Sequence, residues 1–167
     1  MNNRKLVLLS VMLALSIVLG IIEGLLSFGI PFLRLGLANI ITLILLYQFY
    51  RRDAFLVLLM RILIVNLLLG HFLDLIFWMS FTGGIVSFLI MVIVKEVKIF
   101  SIVGVSIVGA TTHLSAQLLV ASLMIRVLVP NYFFALSLVI GVFTGLFTGI
   151  VALRVVKNYD FQEYVNE

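Results

Sequence analysis

The chain has 167 residues, of which 64% are hydrophobic and only 11% charged. Soluble domains run near 45–50% apolar and about 25% charged, so this composition excludes an ordinary soluble domain and identifies an integral membrane protein. There is no cysteine, which excludes disulfides, thiol catalysis and cysteine-ligated clusters. The net charge of +4 calls for no nucleic-acid partner, because the basic residues follow a membrane topology instead.

Apolar stretches at 6–23, 35–50, 54–73, 75–94, 101–128 and 132–155 predict six transmembrane helices in a single membrane domain covering 1–167. The first follows Arg4 and Lys5, as a signal peptide would. It then runs on through Ile22 and Glu23 with no small-x-small cleavage site, which predicts a retained span. Linkers fall at Gly24–Arg34, Arg51–Asp53, Gly70–Asp74, Lys95–Phe100 and Leu128–Asn131. Arg4, Lys5, Arg51, Arg52, Lys95, Lys98, Arg154 and Lys157 fall on one side; Arg34 and Arg126 fall on the other. The positive-inside rule then places both termini in the cytoplasm of a multi-pass, bacterial cytoplasmic-membrane protein.

Within the fifth stretch, Gly109-Ala-Thr-Thr-His-Leu-Ser-Ala-Gln-Leu118 carries the most polar groups. His113 and Gln117 are four residues apart and so share one helical face. Hydrocarbon penalises exposed polar groups, so that face looks inward, at protein, water or ligand. At about 1.5 Å per residue, Glu23, Arg34, Asn39, Asn66, His71 and Asp74 fall at or near the outer end. His113 falls near the middle of its span, with Gln117 above it. Helix packing alone would scatter such residues through the membrane, so their clustering predicts an outward-facing substrate pocket. Its candidate lining is Glu23, Arg34, Asn39, Asn66, His71, His113 and Gln117.

Each has a plainer reading. Glu23 and Arg34 serve equally as interfacial residues in water, Asn39 and Asn66 as interhelical glue, and His71 with Asp74 as a solvated turn. Arg61 lies about two turns from the cytoplasmic end, where its side chain can snorkel, so a structural or coupling role is expected over substrate contact. Phosphate-cradling loops, Asp-rich magnesium clusters and nucleophile–base pairs are absent, so no catalytic residue, cofactor or metal ligand is assigned. Two histidines far apart in sequence are weak grounds for a metal site. Broken-helix pairs and symmetric halves, the marks of self-contained transporters, are absent too.

Arg34-Leu-Gly-Leu-Ala-Asn-Ile-Ile-Thr-Leu43, Glu23 closing the first span, Arg61 in the third and the His113–Gln117 run together resemble the Gx transporter family, also called heptaprenyl diphosphate synthase component I. That family is similar in turn to the substrate-binding S components of energy-coupling factor (ECF) transporters. The resemblance covers essentially the whole chain. It implies an S-component-like six-helix bundle with an outer pocket, lidded by Gly24–Arg34 with its Ser27, Gly29 and Pro31. It also implies docking of the first helix, through small residues, onto a membrane coupling subunit driven by two ATPases. The family pattern is Ala-x-x-x-Ala; this chain offers Ser10-x-x-x-Ala14 and Ser16-x-x-x-Gly20-x-x-x-Gly24. Ser10, Ala14 and Arg61 are the partner-docking candidates.

The leading expectation is therefore a non-enzymatic S component that binds a small amphipathic molecule for an ATP-driven importer. One alternative is a non-catalytic membrane subunit associated with isoprenoid, heptaprenyl diphosphate or quinone synthesis. Another is haem or metal-chelate uptake through His71 or His113.

Overall fold

A computed structural model describes residues 3–26, 36–126, 130–161 and 163. Arg34 and the loop residues Ser27, Gly29 and Pro31 lie outside the described residues. All regular structure among those described is helical: α1 (Asn3–Leu26), α2 (Leu37–Gln48), α3 (Arg51–Leu68), α4 (Leu75–Glu96), α5 (Ile102–Ile125) and α6 (Asn131–Asn158). Four of them, α1, α4, α5 and α6, are long and apolar enough to cross a bilayer.

The second helix differs from the expected 35–50 span. Gly36 caps α2 in the left-handed region (φ 70°), where a side chain is disfavoured, and the helix runs for only 12 residues. At 1.5 Å per residue that is about 18 Å, short of the roughly 30 Å hydrocarbon core. It is nevertheless the centre of the bundle. Leu43, Ile44, Leu45 and Leu46 are almost wholly buried, and α2 packs on α1, α3 and α6. A helix apolar all round belongs inside, and its neighbours shield it from lipid.

The third helix also differs: it starts at Arg51 and stops at Leu68, before the expected 73. His71 N–H bonds back to the Asn66 carbonyl at 2.8 Å around Gly70, whose φ is 75°. This closes the helix in a left-handed glycine turn. Asp74 then caps α4, its side chain accepting from Phe77 N–H at 2.9 Å.

The closest packing is between α5 and α6. Gly141, Gly145 and Gly149 lie at successive turns of α6. A Cβ on them would stand 2.7, 2.5 and 2.8 Å from the Cα atoms of Thr111, Ile107 and Val103. Small residues at four-residue spacing let two backbones meet.

Three contacts fix which helix ends lie together. Lys5 pairs with Asp53 at 2.6 Å, Arg51 with Glu96 at 2.5 Å, and Gln48 Nε2 donates to the Tyr159 carbonyl. The start of α1 and the end of α6 therefore share one end of the bundle, together with the 48–53 connection and the end of α4. Lys95 donates to the Leu46 carbonyl at 2.7 Å and lies over the Tyr47 ring, supplying positive charge at the C-terminus of α2. The opposite end carries Glu23, Gly36 and the 69–74 turn.

Candidate functional site

Five of the six helices bring a polar group to one partly open cavity near the end away from the start of α1 and the end of α6. The cavity has about 50 Å³ and is lined by side chains of Glu23 (α1), Asn39 (α2), Arg61 and Asn66 (α3), Ser80 (α4) and His113 (α5). One water needs about 10–15 Å³, so this space takes a few waters or a small polar group. Gly36 and Ala38 contribute the N-terminal turn of α2, and Ile62 and Val65 an apolar wall.

The charges are deeply placed. Glu23 is 8% exposed and Arg61 7%. Glu23 Oε1 accepts the N–H of Gly36, so a carboxylate from α1 satisfies the start of a helix that has no capping side chain of its own. Arg61 directs both Nη1 and Nη2 at Asn39 Oδ1, each at 3.4 Å. Asn66 uses Nδ2 to reach the Ile62 carbonyl at 2.7 Å, and the Ser80 hydroxyl donates to the Ile76 carbonyl at 2.8 Å.

The α5 face holds an internal pair. The Gln117 amide donates to His113 Nε2 across 3.0 Å, which assigns the ring proton to Nδ1. The pair needs room on α4, and Gly83 gives it. A Cβ there would lie 2.8 Å from Gln117 Cγ and 3.2 Å from His113 Cε1. Gln117 is 1% exposed, and its Oε1 has no hydrogen-bond partner among the described residues.

The structure brings together Glu23, Asn39, Asn66 and His113 of the expected pocket residues. It adds Arg61 and Ser80. Three residues lie elsewhere than expected. Gln117 does not line the cavity; its side chain leans back one turn onto His113, as helical side chains do. His71 is outside it too, with Nδ1 2.8 Å from Asp74 Oδ2 in the 69–74 turn. Arg61, placed by the sequence where it could snorkel to the terminal end, is buried beside Asn39, because α3 begins at Arg51 and carries it deeper. Ser80 was overlooked, although Ser80, Gly83, Gly84 and Ser87 mark the buried small-residue face of α4.

Of the small residues on α1, the Ser16/Gly20/Gly24 series turns inward. A Cβ on Gly20 would lie 3.0 Å from Val65 Cγ2, and one on Gly24 2.7 Å from Leu69 Cδ1. Ser10 and Ala14 remain on the exposed face with Val7, Val11, Leu15 and Val18. Among the described residues no group of three metal-ligating acids or histidines occurs.

The model of the family heptaprenyl diphosphate synthase component I matches residues 12–155. The chain belongs to that family. The match takes in every helix that lines the cavity, from Glu23 on α1 to His113 on α5. No curated protein and no solved structure matches the chain.

Proposed function

We propose that this chain is a non-catalytic membrane subunit that binds a small solute in the Arg61 cavity and acts through partner proteins. The observation that carries this reading is the cavity itself: a buried carboxylate and a buried guanidinium around open space, inside a bundle whose outer surface is apolar. Intramembrane ionisable groups are costly, and where they face a cavity they mark ligand or ion sites by default. The family name favours a place beside a catalytic subunit of heptaprenyl diphosphate synthesis. Prenyl elongation needs several acidic groups to hold magnesium and diphosphate, whereas Glu23 is the one acid lining the cavity among the described residues. The chemistry therefore belongs to the partner.

A second reading, an S component of an ATP-driven importer in the cytoplasmic membrane, is favoured by the position of the cavity. It lies at the end away from the termini, which the positive-inside rule places outside the cell. Ser10 and Ala14, on the exposed face of α1, suit a coupling subunit in that reading.

Native mass spectrometry of the full chain, purified in detergent, tests the shared claim: a small molecule is retained by the wild type and lost in Arg61→Gln. Retention unchanged by that substitution, in protein that remains folded, overturns it. The readings separate on partners. Added to a prenyl synthase that co-purifies, the chain should alter product length or membrane association. Co-reconstituted with coupling and ATPase subunits, it should instead support ATP-dependent uptake.

A further inference from the structure

We infer that the cavity recognises a neutral amide, a lactam or carboxamide, held between Asn39 and Asn66. This rests on the cavity being a binding site, and adds the chemical class of what binds. The two asparagines carry it. Both line the cavity, and each has one end of its side-chain amide engaged within the fold. Asn39 turns Oδ1 to Arg61 Nη1 and Nη2, while Asn66 uses Nδ2 on the Ile62 carbonyl. Both orientations are fixed by partners of a single polarity, since a guanidinium only donates and a carbonyl only accepts.

What remains is one donor and one acceptor. Asn39 Nδ2 stands beside Gly36, 3.7 Å from where a Cβ on that residue would sit. It has no hydrogen-bond partner among the described residues. Asn66 is 4% exposed, and its Oδ1 likewise has none. Polar groups inside native folds are matched, so this pair calls for a molecule that supplies both complements. An amide does so: its C=O takes the Asn39 N–H, and its own N–H meets the Asn66 oxygen. A carboxylate brings no proton for Asn66, and an ammonium brings no acceptor for Asn39. A hydroxyl has both functions on one oxygen, whereas these two groups come from different helices, α2 and α3. Ala38, Ile62 and Val65 give an apolar wall for the carbons beside the amide. The volume of about 50 Å³ is room for a few waters or one small ring. Arg61 enters this reading through Asn39, whose Oδ1 it holds.

The test is thermal unfolding of the detergent-solubilised full chain at matched ionic strength, followed through its one tryptophan, Trp78. The probes are four five-membered rings of nearly one shape. Pyrrolidinone has both amide functions, cyclopentanone the acceptor alone, pyrrolidinium the donor alone, and cyclopentanol both on one oxygen. Pyrrolidinone should raise Tm saturably, by roughly 3–6 °C at ten times its Kd. Each of the others serves only one asparagine and should need about tenfold more for the same shift. Asn39→Asp keeps the oxygen facing Arg61 and replaces the donor by an acceptor. That variant should lose the pyrrolidinone shift and gain one from pyrrolidinium, a swap that a merely structural role for Asn39 would not produce.

Cyclopentanone or cyclopentanol acting as well as pyrrolidinone, or a pyrrolidinone shift surviving in Asn39→Asp, overturns the inference. If the wild type retains, in an Arg61-dependent way, a molecule without an amide N–H, the binding role stands and this inference alone falls. If nothing is retained and no probe shifts Tm, the cavity holds water only and both fall.

Discussion

Arg61 and Gln117 exchange the places that their sequence positions suggest. The sequence puts Arg61 within reach of the terminal end because the apolar run starts at 54. The helix starts at Arg51, which carries the guanidinium about 15 Å along the axis to the level of Asn39. No property of Arg61 itself announces this. It follows from a short α2 that brings Asn39 to the same height. His113 and Gln117 were legible as one face from their spacing. What spacing does not encode is that the pair closes on itself, with Gln117 holding the ring and His113 alone reaching the cavity. If the cavity is a binding site, Gln117 acts on it through the His113 ring. Gln117→Leu should weaken solute retention about fivefold, the equivalent of roughly 1 kcal/mol for one lost hydrogen bond. Combined with His113→Ala it should add almost nothing further, since both act through one ring. Affinities for the two single variants and the double variant, measured on the same preparations, check this. Additive losses would show that Gln117 touches the ligand itself.

At the level of elements, the existence and order of six helices were legible because long apolar runs separated by charged turns leave little else to form. Their limits were less so. The α2 boundary depends on Gly36 adopting a left-handed cap, and the end of α3 on Gly70 doing the same. Hydropathy does not register either. The α5–α6 contact was also hidden, because Gly141, Gly145 and Gly149 read simply as part of an apolar run. A methyl on Gly145 would stand 2.5 Å from Ile107 Cα, and a helix backbone cannot give way as a side chain can. Gly145→Ala should therefore destabilise by about 1–3 kcal/mol through overpacking, seen as a lower Tm. Gly70→Ala is expected to behave differently. A Cβ there meets nothing within 4 Å, so its cost is the strain of φ 75° alone.

The start of α4 adds a pH dependence. Burial raises the Asp74 carboxyl, but the Phe77 N–H and His71 lower it further, and its pKa ends below the ordinary carboxylate range. A carboxyl depressed on folding stabilises the fold above its unfolded pKa, and that contribution is lost as pH falls through the folded value. Acidification through the carboxylate range should therefore loosen the 69–74 turn first. Asp74→Ala should destabilise the fold at neutral pH by the roughly 1 kcal/mol of a lost N-cap, seen as a lower Tm, and the gap to wild type should close in acid. Melting curves across pH decide it, and a gap that widens in acid would refute the assignment.

For the molecule as a whole, the clustering of polar residues towards one end was legible from depth counting. The structure gives it substance, with Glu23, Asn39, Asn66 and His113 around one cavity. The pairs Lys5–Asp53 and Arg51–Glu96 place the basic residues of the α2–α3 and α4–α5 connections at the other end, with the start of α1 and the end of α6. A bundle polarised in this way has one orientation that keeps its cations on the cytoplasmic side. Asn3 and Asn131 are exposed, lie at opposite ends, and belong to a chain without cysteine, so either can be replaced by one without a background signal. A membrane-impermeant thiol reagent applied to intact cells should label Asn131→Cys and spare Asn3→Cys, with both labelled once the membrane is opened. That pattern puts the Arg61 cavity on the outer side, as a solute-binding importer subunit requires. The reverse pattern would turn the cavity towards the cytoplasm, where soluble prenyl-synthase partners work, and would leave the importer reading without its main support.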